Sequence, residues 1–200
     1  MIRAIVFDWG GVLIENPANG LLRYCAKQLQ MTEHSLSNIY RKYAESFQKG
    51  LLSEEALWDT ISPSWKNHIP RIPSLWEKAF KKNYKEHKEM FTLVSQLKQN
   101  NYLTGFLSNT EPPAMRFFKK QHYDMFDVIV FSCAERTRKP EKEIYEILLT
   151  KLRVQPQETV FVDDRSEFIR GAENVGIHGI VFQDIDQLRH NLTALSVKIE

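Results

Sequence analysis

Three times along this chain a short, β-prone apolar run stops on small polar or acidic residues. Ile2-Arg3-Ala4-Ile5-Val6-Phe7 runs into Asp8 and the pair Gly10-Gly11, residues 102–107 run into Ser108-Asn109, and residues 159–162 run into Asp163-Asp164. Open α/β sheets deliver reactive groups in this way, at the carboxyl ends of buried strands facing a crevice. The repeated pattern predicts a parallel sheet whose loops at one end assemble an enzyme's site.

The rest of the chain alternates in the manner such a sheet requires. Two more β-branched and aromatic runs occur at 127–131 and 178–182, and helical patterns fill 88–99, 113–121, 142–152, 166–175 and 185–195. Leu93, Val94 and Leu97 share one helix face, as do Ile144, Ile147, Leu148 and Leu152. Strands alternating with helices imply right-handed crossovers. The expected fold class is α/β, a Rossmann-like doubly wound parallel sheet.

Between the first two strands the pattern changes. Residues 16–84 carry no strand but several amphipathic stripes, among them Leu21, Leu22, Cys25 and Leu29, then Leu36, Ile39, Tyr40, Tyr43 and Phe47. Lys49-Gly50 reads as a helix stop, and Ser53-Glu54-Glu55 as an N-cap with first-turn acids. Pro63, Pro70 and Pro73 interrupt the next stretch before a helical pattern resumes at 75–84. The expected organisation is a core of residues 1–15 and 85–200 with a small α-helical cap, 16–84, inserted after the first strand. An insertion leaving from the reactive end of a strand overhangs that end as a lid. Trp58, Trp65 and Trp76 are expected to form its small core, since a short insertion needs large side chains to bury enough area.

Composition narrows the function. With 200 residues, 27 basic against 25 acidic side chains and a net charge of +2, the chain lacks the clustered basic excess of a nucleic-acid binder. No apolar run reaches the length of about 20 needed to cross a bilayer, and the amino terminus lacks a signal-peptide pattern, so no membrane partner and a cytoplasmic location are expected. Cys25 and Cys133 are expected to be reduced thiols. The six histidines show no metal-ligand spacing.

Four ordered motifs, Phe7-Asp8-Trp9-Gly10-Gly11-Val12, Leu107-Ser108-Asn109-Thr110, Arg138-Lys139-Pro140 and Phe161-Val162-Asp163-Asp164-Arg165, carry a further inference. Together they resemble the haloacid dehalogenase superfamily of hydrolases. The likeness points to the helical-cap branch that includes small sugar-phosphate phosphatases and the phosphatase domain of bifunctional epoxide hydrolases. The resemblance implies a Mg²⁺-dependent phosphomonoester hydrolase acting on a small phosphorylated metabolite, a sugar phosphate being one instance, through an aspartyl-phosphate. Asp8 matches the nucleophile, and splitting one hard displacement into two easier ones is the gain of covalent catalysis. Ser108 matches the donor to a phosphoryl oxygen, with Asn109 beside it orienting the same group or the nucleophile. Lys139 matches the lysine that balances phosphoryl charge. Asp8, the backbone carbonyl of Gly10, Asp164 and Asp163 match the Mg²⁺ site, Asp163 in its first or second shell; such a hard cation takes oxygen ligands.

One position departs from the pattern. The family's phosphatases generally carry a second aspartate two residues after the nucleophile, as general acid and then base, and here that residue is Gly10. A positioned acid–base group is worth on the order of 10²–10⁴ in rate. Sugar 1-phosphates, whose leaving oxygen is relatively acidic, would suffer least from its loss, and Glu15 is a candidate substitute donor. Two alternatives stand behind the phosphatase: a catalytically weak binding or regulatory protein that keeps the fold, and a 2-haloacid dehalogenase, which needs no leaving-group acid. Trp9 is expected to wall the substrate pocket or to pack beneath the cap. Arg136 and Arg138 are expected in solvated loops, and Arg165 beside Asp163 or another loop.

Overall fold

Alternate residues of the first strand bury themselves in two different cores, and this fixes the layering. The computed structural model describes residues 1–63 and 73–199. Strand β1 (Ala4–Phe7) sends Ile5 and Phe7 into one apolar cluster and Ala4 and Val6 into the other. A strand buried on both faces reads as continuous apolar sequence, as here. The remaining strands are β2 (Leu103–Ser108), β3 (Val128–Phe131), β4 (Thr159–Asp163) and β5 (His178–Val181). All pair in parallel, in the order β3-β2-β1-β4-β5. The sheet is thus the doubly wound α/β type that the sequence predicts. Its order reverses between β1 and β4, so the crevice of such a fold opens beyond the ends of those two strands.

Helices α1 (Ala18–Gln28), α2 (Glu33–Gln48), α3 (Glu54–Ile61) and α4 (Leu75–Asn83) lie between β1 and β2. Their starts are written locally. The hydroxyls of Thr32, Ser53 and Ser74 accept from the amides of Ser35, Ala56 and Glu77, satisfying donors that a helix start leaves orphaned. Glu54 joins α3 to α4: its carboxylate accepts from Trp76 N at 2.7 Å, Ser74 Oγ at 2.6 Å and Trp58 Nε1 at 3.0 Å. Trp76 packs on Tyr40, Phe47 and Trp58 at centroid distances of 5.0, 5.1 and 5.9 Å. Trp65 and Pro70 lie outside the described residues.

The chain enters and leaves these helices through paired backbone. Glu15 N donates to Lys85 O and His87 N to Leu13 O, each at 2.9 Å. Helix α5 (Lys88–Gln99) then leads into β2, and α6 (Pro112–Lys119), α7 (Ser132–Glu135), α8 (Lys142–Leu152), α9 (Ser166–Glu173) and α10 (Ile185–Ala194) are the remaining α-helices among the described residues. The four-residue α7, at the end of β3, had no periodic signal to announce it.

Candidate active site

The crevice is a cavity of about 210 Å³ whose floor is made by Asp8, Ser108, Asn109, Lys139 and Asp164. Leu21, Tyr40, Trp76 and Phe80 from the helices between β1 and β2 form much of its opposite wall. Trp9 both lines the cavity and packs into the core, 4.7 Å from Phe80 and 5.1 Å from Phe118 between ring centroids.

All the polar side chains on the floor but Lys139 come from strand ends. Asp8 follows β1, and its amide continues the ladder by donating to Val162 O at 2.9 Å. Ser108 closes β2, Asp163 closes β4 and Asp164 follows it. Lys139 arrives from the loop before α8 and is fully buried. Its Nζ lies 2.8 Å from Asp8 Oδ1, 2.5 Å from Asp163 Oδ2 and 3.2 Å from Leu107 O. Two of these are directed hydrogen bonds. The approach to Asp8 Oδ1 is a charge contact only, and that oxygen completes no hydrogen bond. Burial opposes the lysine's charge, yet the two facing carboxylates outweigh it and hold the ammonium above its ordinary pKa.

Asparagine 109 fastens this lysine. Its side-chain Nδ2 donates to Lys139 O at 2.9 Å and its Oδ1 accepts from Lys139 N at 2.8 Å. Where the sequence suggested an amide aimed at a phosphoryl group or the nucleophile, both of its ends are engaged with the lysine's backbone.

The carboxylates of Asp8, Asp163 and Asp164 can place one oxygen each within 4.8 Å of one another. They are not equivalent. Asp163 is fully occupied, with Oδ2 on Lys139 and Oδ1 accepting from Arg165 N at 2.9 Å. Asp164 Oδ1 is buried and, like Asp8 Oδ1, completes no hydrogen bond. Burial first, and the charge of Asp8 second, push Asp164 above its ordinary pKa; burial likewise raises Asp163 against the pull of Lys139. Crowded, incompletely satisfied carboxylates are a costly arrangement that a cation relieves. The adjoining glycines serve different ends. Gly11 has φ +91°, and a Cβ there would lie 2.3 Å from Asp164 Oδ2. At Gly10 a Cβ would meet only Pro17 Cδ, at 3.4 Å.

Of the other candidate site residues singled out by sequence, Arg165 alone lines the cavity. Glu15 is exposed and paired with Lys85, and it does not line the crevice, so it is not placed to serve as the substitute donor. Arg136 is exposed, and Arg138 donates to Lys139 O at 3.3 Å. Arg165 lines the cavity rim and lies over the Phe168 ring at 4.3 Å. Burial pushes the Cys133 thiol up to about 11, which disfavours the thiolate a nucleophile needs. One cavity residue carried no sequence signal: Glu111, buried on the wall where α6 begins.

A family model for haloacid dehalogenase-like hydrolases matches residues 2–176. The chain belongs to that family. It is 27% identical over 189 residues to sesquiterpene phosphatase astK of Aspergillus oryzae, covering 91% of this chain and 90% of the fungal one. It is 26% identical over 188 residues to acyl-CoA dehydrogenase family member 10 of Mus musculus; that match takes in 89% of this chain but spans only 18% of the mouse protein's length. Among solved structures, a HAD family enzyme from Bacteroides thetaiotaomicron in complex with magnesium and inorganic phosphate shares the fold, with a TM-score of 0.73 at 22% identity over 94% of this chain and 99% of that one.

Proposed function

We propose that this haloacid dehalogenase-like hydrolase is a Mg²⁺-dependent phosphomonoesterase acting on a small phosphorylated metabolite. The observation that carries the proposal is the meeting of Asp8, Lys139 and Asp164 at one cavity floor, with a buried carboxylate oxygen of Asp8 and one of Asp164 unsatisfied. Asp164 Oδ1 has no donor and Asp8 Oδ1 has only its charge contact with Lys139, so both keep acceptor capacity that a hard dication would use. Asp8, Asp164 and the Gly10 carbonyl are the groups to hold it, with Asp163 spent on Lys139 and Arg165 N behind them. Bound there, Mg²⁺ supplies positive charge against the phosphoryl oxygens.

The chain's own groups do the rest. An Asp8 carboxylate oxygen attacks phosphorus, forming an acyl-phosphate bond as the ester P–O bond breaks and its electrons leave with the alcohol oxygen. Water then attacks the acyl-phosphate, releasing orthophosphate and regenerating the carboxylate. Lys139 keeps its proton and balances charge between Asp8 and the phosphoryl group, in a position that Asn109 fixes. Ser108 donates to a phosphoryl oxygen. Residues 16–84 act as a cap over a core of 1–15 and 85–200, and the cavity wall built by Leu21, Tyr40, Trp76 and Phe80 supports that division. The phosphatase named among the relatives supports the reaction class.

The test is phosphate release from a phosphomonoester panel, with and without Mg²⁺. Asp8→Asn should lose at least about 10³-fold in kcat, as removal of a nucleophile does. Turnover that survives both chelation and Asp8→Asn would overturn the proposal, and halide release from 2-haloacids would replace it with the dehalogenase.

A further inference from the structure

The cavity wall holds a buried carboxyl that the hydrolytic steps above do not use. Glu111 stands at the start of α6, only 9% exposed. Tyr40 Oη donates to its Oε1 at 2.9 Å and Gln48 Nε2 donates to the same oxygen at 3.2 Å. Both donors come from α2, across the cavity from the sheet. Trp76 Nε1 comes near the same carboxyl without completing a hydrogen bond. Both of these side-chain hydrogen bonds fall on Oε1, and the backbone amide of Glu111 also favours the charge. Burial raises the pKa of Glu111, against the donors that lower it.

Such a group constrains whatever shares the cavity with it. A buried carboxyl with spare acceptor capacity favours a ligand that brings a donor, and it repels a second negative charge in a low-dielectric wall. Away from the floor the cavity lining is mostly apolar, with Leu21, Leu22, Ala114 and Phe80, and carries the polar Asn16 and Thr110 as well. The apolar residues penalise charged and heavily hydroxylated bodies through desolvation. We propose that Glu111, held by Tyr40 and Gln48, is a specificity-determining residue. It selects phosphomonoesters whose organic part is uncharged, compact and largely apolar, with one hydroxyl that donates to Glu111. The inference rests on the phosphatase assignment and adds the substrate class.

Binding tests this separately from turnover. In saturating Mg²⁺, calorimetry with ω-hydroxyalkylphosphonates of two to five carbons is compared with matched n-alkyl and ω-carboxyalkyl phosphonates. At the best chain length the hydroxyl compound should bind about ten- to a hundredfold tighter than the alkyl one, as a hydrogen bond to a charged acceptor supports. The carboxylate compound should bind at least about tenfold weaker than the alkyl one. Glu111→Leu should erase the hydroxyl preference. Glu111→Gln, which drops the charge and places an amide NH2 where one carboxylate oxygen stood, should lift the carboxylate penalty. A merely structural glutamate would move neither ratio, whatever it did to melting temperature. Flat ratios across the three ligand classes in wild type, or an unchanged hydroxyl preference in Glu111→Leu, overturn the assignment while Mg²⁺-dependent turnover of p-nitrophenyl phosphate stays intact. No such turnover and no phosphonate binding would sink the phosphatase assignment and this one together.

Discussion

Gly10 occupies the place where an aspartate would serve as leaving-group acid, and the structure says what restoring it should do. The backbone there is not in the left-handed region, and an added Cβ touches only Pro17 Cδ, at the 3.4 Å of an ordinary contact. Gly10→Asp should therefore fold without local strain and project its carboxyl from the cavity lining, beside Asp8. A positioned acid is worth about 10²–10⁴ in rate, or about 2.7–5.5 kcal/mol off the barrier. That gain applies only where the leaving oxygen needs a proton. Alkyl phosphates should gain the full factor in kcat/KM, and p-nitrophenyl phosphate, whose phenolate leaves unaided, less than about tenfold. The new carboxyl joins a crowd of three, so its cost should appear as a steeper Mg²⁺ requirement and the assay must saturate the metal. Gly10→Asn, with the same shape and no proton, should give no gain. Equal effects on both substrates, or no alkyl gain with Mg²⁺ affinity intact, would refute the claim that this chain lacks a leaving-group acid.

Gly11→Ala, unlike Gly10→Asp, meets strain, since its Cβ would intrude to 2.3 Å from Asp164 Oδ2 at φ +91°; Mg²⁺ affinity by calorimetry should fall by at least about tenfold. Lys139→Met leaves the buried Asp163 without its cation and should cost about 3–5 kcal/mol in urea unfolding. Mg²⁺ at about 100 times its dissociation constant should add about 2.7 kcal/mol of stability, read as a rise in melting temperature that Asp164→Asn diminishes. Asp127 supplies a pH test away from the site. Burial works against its charge, but the Thr104 amide, at 2.8 Å, and Lys98 hold its folded pKa below the ordinary value. A depressed acid stabilises above its unfolded pKa of about 4 and ceases to as pH falls through the folded one. With solvent screening the exposed carboxylate, Asp127→Ala should thus cost about 0.5–1.5 kcal/mol at pH 7, with the gap to wild type closing below about pH 4.

What the sequence reveals follows from how each feature is encoded. Strand and helix periodicity is local, so residues 88–99 and 142–152 read from sequence coincide with α5 and α8. The acids at strand ends were visible because the sheet's direction forces them to one edge: Asp8 after β1 and Asp163 after the core of β4 are neighbours as soon as those strands pair in register, Phe7 opposite Val162. Asn109 and Lys139 lie 30 residues apart, and nothing periodic joins them; their clamp exists only once β2 and the loop before α8 are placed side by side. The same is true of Glu111. In sequence it is an acid before Pro112-Pro113, a commonplace helix start, and its meaning comes from Tyr40 and Gln48, donors 71 and 63 residues away in the stretch whose packing no pattern dictates. The glycine pair shows the limit most sharply. Two identical residues side by side look interchangeable, yet one is required by backbone angle and by the approach of Asp164, while the other has room for a side chain. The chemistry shared with a family is written in residues that strands bring together by register. The chemistry particular to this chain, its substrate and its way of protonating a leaving group, depends on contacts between segments that only folding introduces.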